Sequence, residues 1–203
     1  MGIATRIPDL NQPSFRALTV TRMIEQVRAE MTGALEAAPD APVALIGSSR
    51  GAFVAVNTAA ADARVKALVL LAPALDFGAD EHGRIGHVTI ADWKRQGSAE
   101  VFHYAWNRPE MLDYALYEDA KRFDAFAARL DLPVLIFQGS RDTVVNPAVV
   151  SRWADGRANV TLEVVDDDHQ LQASLDLIVE RTKAFLASVL PPASPATSSP
   201  RRA

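Results

Sequence analysis

Residues 42–53 read Pro-Val-Ala-Leu-Ile-Gly-Ser-Ser-Arg-Gly-Ala-Phe. The apolar run at 43–46 has the length and content of a buried strand. It stops at Gly47-Ser48-Ser49-Arg50-Gly51, and small, helix-compatible residues follow to position 61. This is a G-x-S-x-G pentapeptide between a strand and a helix, the context in which that motif carries chemistry. If the chain reverses sharply at Ser49, the residues two before and two after it crowd each other. Glycine at 47 and 51 leaves no Cβ to clash. The turn would push the Ser49 hydroxyl outward and set the Arg50 backbone N–H beside it. That N–H would lie at a helix N-terminus, where negative charge is favoured.

Composition sets the outer limits. A chain of 203 residues that is 49% hydrophobic suits one soluble domain with a sizeable core. No apolar run approaches the ~20 residues of a membrane-spanning helix, so no membrane association is expected. The first residues show no basic segment followed by an apolar one, so no secretion signal is read. There is no cysteine, which excludes disulfides and thiolate metal sites and fits a reducing, cytoplasmic compartment. A net charge of −4 without a basic cluster argues against nucleic acid as a partner.

Working outward, the spacing of Val20, Met23, Ile24, Val27, Met31 and Leu35 predicts a helix from Thr19 to about Ala37. Residues 3–8 could form a short strand. Strands are expected at 65–71, 134–137 and 160–165, the last nearer a sheet edge because Thr161 and Glu163 alternate with apolar neighbours. Helices are expected at 147–153, with Asn146 as cap and Pro147 in the first position, and from about Ser174 onward. Strands alternating with helices predict an α/β fold: a mostly parallel sheet flanked by helices. Ligands of such sheets bind beyond the carboxyl ends of the strands, where Ser49 lies.

Residues 76–130 differ in character. They hold two of the three tryptophans and all three tyrosines. The expectation is a helical lid insertion, with helices near 109–117 and 118–130. Trp93, Tyr104, Trp106 and Tyr114 are candidates for a substrate pocket, although aromatics at such positions also serve simply to pack a lid. The domain is expected to span 1–190. The Pro/Ala/Ser tail at 191–203 is expected to be disordered.

A nucleophilic serine needs a base, and the base needs an acid to orient it. Of the four histidines, His82, His87 and His103 fall in the lid segment. His169 follows the strand at 160–165. Asp142 follows the strand at 134–137. Ser, Asp and His in that order, each after a different strand, form a candidate catalytic set. The acids 166–168 are read as a solvated loop. No metal and no cofactor is expected.

On these residues the chain resembles the α/β-hydrolase superfamily, in particular its small bacterial cytoplasmic serine esterases. The match is most specific at 45–53, 135–147 and around His169. The resemblance implies that Ser49 attacks an acyl carbonyl, His169 takes the serine proton, Asp142 holds the histidine tautomer and the Arg50 N–H donates to the oxyanion. The implied substrate is a small carboxylic ester or thioester. Alternatives are acyl transfer with the same triad and a non-catalytic binding protein. The family's earlier strand with its His-Gly loop, source of a second oxyanion donor, has no counterpart here. Only Gly2 and Gly33 precede Gly47, and no histidine does. The chain therefore reads as starting late, with an exposed apolar sheet edge through which a homodimer could form.

Overall fold

The computed structural model describes residues 3–79, 83–103 and 106–190. Residues 3–8, expected as a short strand, run unpaired along α1 (Val20–Ala37), with Arg6 3.5 Å from Glu30. The Thr19 hydroxyl caps α1 by accepting the Arg22 N–H. Val20, Met23, Ile24 and Met31 form its buried stripe, as the spacing predicts.

The central sheet has four parallel strands in the order β1 (Val43–Ser48), β2 (Val65–Leu71), β7 (Val134–Gly139) and β8 (Val160–Val165). All six residues of β7 are buried, whereas β1 and β8 lie at the edges and are only partly covered; β1, expected from its apolar run to be a buried strand, has Val43, Ala44 and Leu45 half-buried. At the β1 edge Ile46 is 56% exposed. The period-2 geometry of a strand assigns the two faces. Leu68, Leu70, Val134 and Ile136 join one core with α1 and α2 (Arg50–Ala60). Ala67, Val69, Leu135 and Phe137 join a second core against Ile178 and Leu186 of α6 (Leu175–Val189). Val150 and Trp153 of α5 (Pro147–Ala154) lie in the first core. Asn146 caps α5 as expected, its side chain accepting the Ala148 N–H. The sheet is thus covered on both sides by helices.

Between β2 and β7 the insertion is not the set of short helices expected. It holds a hairpin of β3 (Arg84–Ile85) and β4 (Val88–Thr89), then α3 (Ile90–Gln96). A longer hairpin of β5 (Ser98–His103) and β6 (Arg108–Asp113) follows, and then α4 (Ala115–Ala120). Residues 109–113, part of the helix expected over 109–117, instead lie in β6, which pairs antiparallel with β5 from Ser98↔Asp113 to His103↔Arg108. Pairing with a partner strand overrides local preference. The expected helix over 118–130 stops early for an identifiable reason. Asp124 accepts the N–H groups of Phe126 and Ala127. Arg157 and Asn159 take the carbonyls of Phe126, Ala128, Leu130 and Leu132. Carbonyls held from outside are not available to helical bonds. The tail at 191–203 lies outside the described residues.

Candidate active site

Ser49 sits between β1 and α2 with φ 51° and ψ −120°, a positive φ that a non-glycine residue adopts only under constraint. The constraint is visible. The Ser49 N–H donates to the Leu71 carbonyl at 2.8 Å, and its carbonyl accepts from Ala52 and Ala74. A Cβ on Gly47 would lie 2.6 Å from the Gly51 carbonyl oxygen, so the turn closes only over glycine there. The expected reciprocal crowding at Gly51 is not found: a Cβ there meets nothing within 4 Å. The Arg50 N–H, at the first turn of α2, has no acceptor among the described residues. Burial pushes the Arg50 guanidinium down to about 10.

His169 is carried by the loop after β8. Its Nε2 lies 3.1 Å from Ser49 Oγ, and its Nδ1 lies 2.8 Å from Asp142 Oδ2. The three residues chosen from the sequence therefore form one hydrogen-bonded row. A carboxylate only accepts, so the row is consistent with a proton on Nδ1 and a free lone pair on Nε2 facing the serine hydroxyl. The Asp142 side chain is fully buried in that row and that of His169 nearly so. Burial pushes the Asp142 carboxyl up. Hydrogen bonds from His169, the Val145 N–H, Gln138 and the Val144 N–H outweigh this and hold it below the ordinary value.

Two supporting residues escaped the sequence reading. Gln138 is fully buried and donates from Nε2 to Asp142 Oδ2 at 3.0 Å and to its neighbour's carbonyl, Gly139, at 3.1 Å. The available signal was one polar residue in an otherwise apolar central strand. Asp167 is 4% exposed rather than solvated. Its carboxylate accepts the N–H groups of Asp168 and Ser174, each at 2.8 Å, and so closes the loop that presents His169. Burial pushes this carboxyl up too, and again the hydrogen bonds it accepts hold it below the ordinary value. Gly139 brings the two loops together: a Cβ there would meet the Asp168 and Asp167 carbonyl oxygens at 2.5 and 2.6 Å.

The aromatic candidates are placed differently. Trp93 is fully buried inside the insertion, donating from its indole N–H to the Leu112 carbonyl and meeting Tyr114 edge-on at 5.6 Å. Trp106 is 44% exposed and stacked on His103 at 4.1 Å. Tyr104 and His82 lie outside the described residues. Among the described residues no group of three or more acidic or histidine side chains is arranged to hold a metal. No helix among them is long and apolar enough to cross a membrane.

The alpha/beta hydrolase family model matches residues 2–198. The chain belongs to the alpha/beta hydrolase family. Hydrolysis is the class of chemistry that this membership carries. Among solved structures, a protein of Agrobacterium vitis S4 assigned as a hydrolase is 27% identical, with TM-score 0.67 over 87% of this chain and 70% of that one. Est1E from Butyrivibrio proteoclasticus, solved with ferulic acid bound, is 18% identical with TM-score 0.76 over 86% and 70%. The esterase domain of a Rhodothermus marinus protein is 19% identical with TM-score 0.61 over 86% and 72%. A search of curated proteins found no match to this alpha/beta hydrolase.

Proposed function

We propose that the protein is a serine hydrolase that cleaves small carboxylic esters or thioesters through an acyl-enzyme on Ser49. The observation that carries this reading is the continuous row from Ser49 Oγ to His169 to Asp142, at 3.1 and 2.8 Å. Ser49 Oγ attacks the acyl carbonyl while its proton passes to His169 Nε2. Asp142 stays ionised and stabilises the imidazolium. The oxyanion is met by the Arg50 N–H, aided by the positive end of α2. The imidazolium then returns the proton to the departing alkoxide or thiolate. Water, deprotonated by the same Nε2, releases the acid and restores Ser49. The esterases among the structural relatives support the ester reading, and the cysteine-free sequence supports a reducing, cytoplasmic setting.

The test is mass spectrometry of the intact protein after exposure to a fluorophosphonate, with peptide mapping. One adduct on Ser49, absent in Ser49→Ala, is expected, together with loss of ester turnover in that variant at an unchanged melting temperature. A folded protein that takes up no adduct overturns the reading in favour of a non-catalytic binding role.

A further inference from the structure

For the fold alone, Gln138 is an unfavourable residue. Strand geometry points it from β7 to the same face as Val134 and Ile136, which join the first core. Its side chain is fully buried. The amide can be oriented only one way. Its Nε2 faces Asp142 Oδ2 at 3.0 Å and the Gly139 carbonyl at 3.1 Å, and both of these only accept. That leaves Oε1 buried, and among the described residues nothing donates to it. A buried acceptor without a donor is unfavourable, and an apolar side chain of the same size would avoid it. Neither partner depends on the amide for its satisfaction. The Gly139 carbonyl also accepts the Asp142 N–H at 3.3 Å, and Asp142 Oδ2 also accepts from His169 Nδ1 at 2.8 Å.

What the amide does for the catalytic row is more specific. Its two hydrogens go to the two ends of one turn: the Gly139 carbonyl, where β7 stops, and the Asp142 carboxylate. Of the other donors on that carboxylate, Val144 and Val145 belong to its own loop and His169 to the loop after β8. Gln138 is the one carried by a strand, and that strand is buried throughout. Side chains mounted on strands hold position more closely than those on loops. The amide also occupies the oxygen that His169 uses. An oxygen held from two directions does not swing out of line with the Nδ1–H.

We propose that Gln138 is a positioning residue that serves the site rather than the fold: its amide pins Asp142 Oδ2 to β7 and so sets the line of the Asp142–His169 hydrogen bond. Its effect on turnover rests on the acyl-enzyme reading, whereas its effect on that hydrogen bond does not.

Gln138→Met tests it, because methionine is close to glutamine in size and offers no donor. The expected result is a kcat lower by about tenfold to a hundredfold on a chromogenic ester with KM little changed. The melting temperature is expected to equal or exceed that of wild type, since the orphaned oxygen is removed. Proton NMR follows the His169 Nδ1–H directly, whether or not Ser49 reacts. Its low-field resonance is expected in wild type, and displaced or broadened by exchange with water in Gln138→Met. A melting temperature clearly below wild type would make Gln138 a structural residue and overturn the proposal. So would a resonance missing from wild type or the same in both proteins, or an unaltered kcat in variant protein whose Ser49 takes the fluorophosphonate. An altered resonance in a protein whose Ser49 takes no adduct supports the hold of Gln138 on Asp142 and overturns only the serine chemistry.

Discussion

Asp142 spends its two carboxylate oxygens on four donors: Val144 and Val145 N–H at Oδ1, His169 and Gln138 at Oδ2. The first pair fixes the loop and the second fixes the imidazole, so one residue joins backbone geometry to the proposed proton transfer. Asp142→Asn preserves the size of the side chain but presents an amide, which reverses or breaks the tautomer it holds. Turnover is expected to fall by about 10⁴-fold with ester affinity little changed. Steady-state kinetics on a chromogenic ester measures this, and an unaltered kcat would assign the orienting role to another acid. At this scale the sequence was informative for Ser49, Asp142 and His169, whose residue types and order are distinctive. It was uninformative for Asp167, because an acid that closes a loop and an acid in solvent look alike until the loop's N–H groups are located.

The elements act as mounts. Ser49, Asp142 and His169 follow β1, β7 and β8, and parallel strands deliver all three to one end of the sheet. The mount is tightest at Gly139, where the end of β7 touches the loop after β8. Gly139→Ala puts a methyl group 2.5 Å from a backbone oxygen, so the loop bearing His169 must move. Overpacking of this kind costs about 1–3 kcal/mol. The expected result is a lower melting temperature and slower fluorophosphonate labelling of Ser49. Labelling at the wild-type rate would show that the loop relaxes without shifting the base. The central strands β2 and β7 were legible because burial on both faces writes a continuous apolar run, and the edge strands because apolar residues still dominate them. The β5–β6 hairpin was not, because its strands are defined by each other rather than by their own sequence.

For the molecule as a whole, several acids stabilise the fold through their ionised form. Hydrogen bonding from Arg64 lowers Asp62. In Asp142 and Asp167 burial raises the carboxyl but the hydrogen bonds outweigh it, so these are lowered as well. Each binds its proton less readily folded than unfolded, where an aspartate titrates near 3.9. Their contribution is therefore complete above about pH 4–5 and is lost as pH falls through the lower, folded values. Unfolding by urea at a series of pH values should give stability that is flat toward neutrality on this account and declines below about pH 4. The decline should be shallower in Asp142→Asn. An acid limb of equal steepness in that variant would mean that Asp142 is not among the groups responsible.

The sequence by itself determined the sheet strands, the main helices, the family and the three residues that line up at the strand ends. These are properties of short segments: apolar runs, helical spacing, a glycine-bounded turn, and polar residues just past a strand. Tertiary structure alone decided that Gln138 and Asp167 support the row, that beside the site Gly139 and not Gly51 leaves no room for a Cβ, and that the insertion holds two hairpins. Each of those depends on what arrives from elsewhere in the chain, and hydrogen-bond satisfaction is a property of pairs, not of positions.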